Sequence, residues 1–304
     1  MATELSQATD TRILDTRAME WEPFTGIEGG AMKVLARDAE GNEMVMLFNM
    51  PPGDGPLKAL PSMPYRHYHQ SVHEYNYFMA GELPHWDYRT PEDPVGELVM
   101  WTEGYYLDRR PGPTGIHGIE TTPTSPVGSM VLSWRTGTGN FASEPDFHEE
   151  SREIAYPSSK STVASVPLVA PADGFGLVYS TDVVDILDTR AMEWEPMSEL
   201  EGAFVKVLSR DAGEIITMIV WMPLGTSALL TTDAGRAGTS FAENLFVLAG
   251  DLPHIAEGSD EVTYLPQGTY IERKNAPSGA LRERSTGVEP PLGCAVLVWR
   301  SNGW

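Results

Sequence analysis

His67-Tyr68-His69-Gln70-Ser71-Val72-His73-Glu74-Tyr75-Asn76-Tyr77-Phe78-Met79-Ala80-Gly81 is the stretch on which the fold reading turns. Three histidines and a glutamate fall within eight residues, and six more residues lead from Glu74 to a glycine. Alternate residues of a strand point to one face. As a strand, the run projects His67 and His69 side by side, about 7 Å apart, close enough to grip one metal ion. A carboxylate arriving from the next strand adds a further ligand. Of the seven histidines in the chain, five lie between residues 67 and 117, so a rare residue is concentrated in one region.

Around this stretch the chain is one unit written twice. Residues 13–23, Ile-Leu-Asp-Thr-Arg-Ala-Met-Glu-Trp-Glu-Pro, recur unchanged at 186–196. Further on, Lys33–Ala39 pairs with Lys206–Ala212, Ala80–His85 with Ala249–His254, and Val131–Arg135 with Val296–Arg300. A repeat of this length is a duplicated domain, not a solenoid of short repeats. In chain order the expected divisions are 1–145, 146–180 and 181–304: a metal-binding domain, a Pro- and Ser-rich linker with edge-strand pieces, and a second domain. Short apolar and aromatic runs such as Met44–Asn49, Tyr75–Met79, Met130–Trp134 and Ala295–Trp299 are separated by Gly and Pro turns, which predicts an all-β sandwich or barrel in each copy.

The spacing His67-x-His69, four residues, Glu74, six residues, Gly81 resembles the first motif of the cupin superfamily, with Pro61 where that motif's leading glycine falls. Pro113-Thr114-Gly115-Ile116-His117 resembles the second motif, one residue short and without its closing asparagine. The resemblance covers both copies. It implies a bicupin, that is, two tandem jelly-roll (double-stranded β-helix) barrels. Within the superfamily the chain looks most like the zinc cupins related to anti-sigma factors and the small mononuclear iron dioxygenases that cleave diketones or hydroxyacetophenones. Carried onto this sequence, the motifs make His67, His69, Glu74 and His117 the metal ligands. His73 is the rival third ligand: strand alternation from His67 and His69 favours it, whereas cupin geometry inserts a turn before the glutamate.

The duplication supplies an internal control. Aligning Gly81 with Gly250 sets Glu74 on Glu243, His73 on Ala242, His69 on Gly238 and His67 on Arg236; aligning Gly104 with Gly268 sets His117 on Leu281. A barrel built without these histidines does not need them for packing, so the first copy is expected to bind metal and the second to be degenerate. His85 and Arg109, kept as His254 and Arg273, are expected to be structural. Tyr65, Tyr77 and Trp86 are expected to shape a substrate pocket, Trp86 because Ile255 replaces it in the second copy.

Ligand chemistry allows one divalent metal ion, Fe(II) first and Zn or Mn as alternatives. The leading expectation is a non-haem Fe(II) dioxygenase of a small carbonyl or phenolic compound. A Zn or Mn hydrolase, lyase or isomerase is the second, and a non-catalytic small-molecule or stress-sensing cupin the third. A net charge of −22 speaks against nucleic acid and anionic membrane surfaces as partners. No apolar run approaches the roughly 20 residues of a membrane helix. The polar first residues do not read as a signal peptide, so a cytoplasmic protein with a small-molecule substrate is expected, with a homodimer left open. Cys294, the single cysteine, falls in an apolar run and reads as a core thiol.

Overall fold

The computed structural model describes residues 4–8, 11–53, 66–69, 71–88, 97–112, 115–118, 125–136, 176–198, 200–211, 214–223, 241–255, 262–276 and 293–301. Two strands open the chain, β1 (Glu4–Ala8) and β2 (Thr11–Asp15), followed by one 3-10 turn, Thr16–Ala18. Next come β3 (Glu22–Pro23), β4 (Ala31–Arg37), β5 (Glu43–Met50), β6 (Arg66–His67), β7 (His73–Asp87), β8 (Glu97–Thr102), β9 (Tyr105–Arg109), β10 (His117–Gly118) and β11 (Ser129–Thr136). The second copy begins with β12 (Leu177–Ser180) and β13 (Val184–Asp188). It continues as β14 (Glu195–Pro196), β15 (Phe204–Asp211), β16 (Glu214–Met222), β17 (Phe241–Ala249), β18 (Asp251–Ile255), β19 (Val262–Pro266), β20 (Thr269–Ala276) and β21 (Cys294–Ser301). The described residues are thus all-β apart from that one turn, as the punctuated apolar runs predict.

The compact units do not follow the order of the repeats. One unit is Trp21–Met192; the other joins Met1–Glu20 to Glu193–Trp304. The first unit's main sheet runs β12-β13-β9-β7-β11-β5-β4-β3, and the second unit's runs β1-β2-β20-β17-β21-β16-β15-β14. So the opening strands of each copy complete the sheet of the other: β2 pairs with β20, and β13 with β9. The expected boundaries at 145 and 180 therefore do not delimit the units, and the chain changes unit inside each copy of the eleven-residue block. The linker at 146–175, with its apolar piece 163–169, lies outside the described residues, whereas 177–180 does form an edge strand.

The identity of the two blocks has a physical basis. Thr16 donates through its N–H and Oγ1 to the carbonyl of Gly268, at 3.1 and 2.6 Å; Thr189 does the same to Gly104, at 2.9 and 2.6 Å. Arg17 and Arg190 each fold back on the aspartate two residues earlier, Asp15 or Asp188, with Nε–Oδ1 distances of 2.9 Å. Lys33 lies over Trp21 at 4.2 Å and Lys206 over Trp194 at 4.3 Å.

Each unit has its own core. In Trp21–Met192 it includes Ile27, Phe78, Trp101, Tyr105, Leu107 and Val131, with Val184 and Ile186 supplied by β13. In the other unit it includes Met218, Val220, Leu245, Val247, Val296 and Val298, with Ile13 from β2 and the buried Cys294. Burial pushes the Cys294 thiol up to about 12, an inert core group as expected. Among the described residues no helix is long and apolar enough to cross a membrane.

Candidate metal centre

The histidine run is not one continuous strand. β6 ends at His67, a bend at Ser71 intervenes, and β7 begins at His73. Short β10 lies between β6 and β7: His117 faces His67 on one side and Asp87 on the other. Backbone pairing alone therefore sets the later histidine next to the earlier ones. The ring centroids of His67 and His117 are 4.2 Å apart, those of His69 and His117 5.1 Å, and those of His67 and His69 5.4 Å. One ring nitrogen from each of the three lies within 4.8 Å of the other two. All three side chains are buried, at 3–4% exposure.

Burial keeps His67 and His117 uncharged. Burial, reinforced by His69, drives the His67 pKa down to about 3. Burial, then Arg109, also holds His117 well below the usual imidazole range. Nδ1–H of His117 donates to the carbonyl of Gly115 at 2.8 Å, which leaves the Nε2 lone pair facing inward. Neutral imidazoles with available lone pairs are what a divalent ion requires. The donor set therefore fits such an ion.

Glu74 adjoins the cluster. Its Oε2 lies 3.6 Å from Nε2 of His69, 3.8 Å from Nε2 of His117 and 2.5 Å from Nη1 of Arg109. Burial alone would raise its pKa, but Arg109 together with His69 and His117 outweighs that and holds the carboxyl well below its ordinary value. Arg109, 1% exposed, also donates through Nη2 to Asp87 Oδ1 at 2.7 Å. Burial likewise works against the Asp87 carboxylate, and Arg109 and His85 overcome it, so its pKa is lowered. His85 lies 3.4 Å from Asp87 and stacks on Trp101 at 3.9 Å.

Other expected site residues fall elsewhere. His73 points to the opposite face of β7 from Glu74. Its Nε2–H donates to Asp108 at 2.5 Å, and its Nδ1 accepts from the Tyr75 hydroxyl at 3.0 Å. The bend at Ser71 resets the alternation that favoured it. Tyr77 shares the His73 face, where it hydrogen-bonds Thr189 of the exchanged segment, so it does not line the histidine pocket. Trp86 lies on the face of β7 opposite His85 and Asp87 and packs on Tyr68, Tyr88 and Ile116. Tyr65 lies outside the described residues. Conversely, His85 and Arg109, expected to be structural, belong to the buried network. Asp87 was not anticipated, although two signals identify it: two residues on from His85, it shares that residue's strand face, and Ala256 replaces it in the second copy.

The second unit keeps only part of this arrangement. Glu243 lies 3.4 Å from Arg273 and 3.9 Å from Arg300. The glutamate–arginine pair is thus common to both units, while the three histidines belong to one.

No protein-family model and no curated protein matches the chain. Solved structures do. Protein Ylba from E. coli is 10% identical, with a TM-score of 0.55 over 99% of this chain and 94% of that one. A candidate dioxygenase from Nostoc punctiforme is 11% identical, with a TM-score of 0.56 over 96% and 82%. Oxalate decarboxylase from Bacillus subtilis, described with Mn(II) centres, is 11% identical, with a TM-score of 0.51 over 99% and 80%. At such identities the likeness establishes the fold: an all-β cupin architecture in two tandem barrels.

Proposed function

We propose that the chain is a mononuclear metal-dependent cupin enzyme, its divalent ion held by His67, His69 and His117 with Glu74 as the fourth donor. The observation that carries this reading is the buried imidazole triad with nitrogens within 4.8 Å of one another. Three buried imidazoles gain little from each other, and the second barrel does without them. A bound ion supplies Lewis acidity and, as iron, one-electron chemistry with dioxygen.

The protein's own groups prepare the site. Arg109 holds Glu74 as a carboxylate and fixes which oxygen it turns to the histidines. Asp87 shares Arg109 and offsets its charge. Gly115 fixes the His117 tautomer. Burial of all three histidines keeps bulk water from the donor atoms.

The activity proposed is that of an Fe(II) dioxygenase acting on a small carbonyl or phenolic compound. The name of the Nostoc neighbour favours oxygen chemistry. A second reading, a Mn or Zn lyase, hydrolase or isomerase, draws on the Mn(II) centres of the Bacillus decarboxylase. Oxygen consumption by the iron-loaded protein with a panel of β-diketones and hydroxyacetophenones separates the two. Substrate-dependent uptake that disappears in His117→Ala supports the dioxygenase. No uptake, with turnover of the panel by the Mn- or Zn-loaded protein, supports the second reading.

A further inference from the structure

The first barrel holds buried polar groups that a metal ion does not account for. Between β7 and β11 the register sets Glu74 opposite Arg135 and Asn76 opposite Ser133. The second barrel has the same two rungs, Glu243 opposite Arg300 and Leu245 opposite Val298. The charged rung is common to both; the next is apolar in one barrel and polar in the other. Leu245 and Val298 belong to their barrel's apolar core, and Asn76 and Ser133 are buried in the corresponding places. Burying an amide and a hydroxyl where Leu and Val fit costs stability unless they meet a partner. The fold itself does not demand them.

Arg135 points the same way. In the second barrel Arg300 lies 3.9 Å from Glu243. In the first, Arg109 takes Glu74, and among the described residues no carboxylate lies within ion-pairing distance of Arg135. Its Nη2 donates to Met46 Sδ at 3.5 Å, a weak acceptor, and its buried Nε has no hydrogen-bond partner among the described residues. Charge adds a third argument. Around the histidines, Glu74 and Asp87 balance Arg109 and Arg135, with Glu43 and Asp38 acting on Arg135 only from a distance, so a divalent ion adds two positive charges there.

We propose that the pocket takes a substrate bearing a carboxylate, received by the Arg135 guanidinium and flanked by Asn76 and Ser133, while another donor of the same molecule reaches the ion. This assignment rests on the metal reading above. It narrows the substrate from a carbonyl or phenolic compound to one that also carries an acid group. Guanidinium and carboxylate match as planar, two-point partners, which a neutral amide cannot reproduce.

Calorimetric titration of the metal-loaded, full-length protein with oxalate, malonate and succinate tests it, with the corresponding neutral diamides as controls. The wild type is expected to bind at least one diacid tenfold or more tighter than its diamide. Arg135→Met is expected to lose that preference while keeping its ion. The double variant Asn76→Leu/Ser133→Val, which installs the second barrel's residues, is expected to fold and to weaken the same diacid several-fold. Equal diacid affinity in wild type and Arg135→Met, or no diacid binding by the metal-loaded wild type, overturns the carboxylate site and leaves the metal site standing. If Arg135→Met does not fold, undiminished binding by the double variant overturns it instead. A wild-type chain that takes up no ion overturns both.

Discussion

His67 and His117 are held neutral in a buried cluster, and this makes acid a specific threat to the metal-free protein. Their folded pKa values lie below the roughly 6.5 of an unfolded imidazole. Above that pH both states are neutral and nothing is lost. As pH falls below it, the unfolded chain takes up protons that the folded one refuses, so stability declines by about 1.4 kcal/mol per pH unit for each such imidazole. The lowered carboxyl values of Glu74 and Asp87 act in the same direction at lower pH: their stabilisation is present above about pH 4 and is lost as pH falls through the folded values. Denaturant unfolding of the metal-free protein at pH 7.5 and 5.5 should show the loss, and His67→Gln should reduce it. An unchanged pH dependence in His67→Gln would remove His67 from the explanation. Arg109 is buried and serves the buried Asp87 as well as the partly buried Glu74, so Arg109→Met should cost about 3–5 kcal/mol in the same measurement. At this scale the sequence was legible where the two copies differ: His67, His69 and His117 stand out because Arg236, Gly238 and Leu281 replace them. It was misleading for Tyr77, whose parity with His73 and Tyr75 carries it to the face away from Glu74.

Among the elements, β7 depends on a glycine. Gly81 has φ +74°, and a Cβ there would come within 2.0 Å of the Gly128 carbonyl oxygen; Gly250 repeats this with φ +71° and 1.9 Å to Gly293. A left-handed backbone abutting another backbone admits no side chain. Gly81→Ala should therefore lower the melting temperature by far more than Gly41→Ala, where φ is also positive but nothing lies within 4 Å. Equal losses would show that conformation alone matters. The glycine was readable from the sequence because both copies place one after the run, although β7 continues through Gly81 to Asp87 whereas Gly250 separates β17 from β18. The pairing of the short strand β10 was not, since two residues carry no periodicity, and only the fold sets His117 between His67 and Asp87.

For the whole molecule, each repeat gives its opening strands to the sheet of the other. A fragment of residues 21–192 keeps every strand of the histidine-bearing unit, whereas residues 1–175 lack β12 and β13, which cover β9. The first fragment should unfold cooperatively and the second should not; cooperative folding of residues 1–175 would show that the exchange is dispensable. This arrangement could not be read from the chain, because two identical eleven-residue blocks satisfy the same partners in either barrel, and local sequence does not say which. The all-β character could be read from patterns within each repeat, and the confinement of the histidine cluster to one copy from the comparison of the two. Elemental analysis of the purified protein and its His67→Ala and His117→Ala variants tests for a single metal site, in the first barrel only. One divalent ion per chain is expected in the wild type, with its loss from both folded variants; full metal content in both variants would rule out the site.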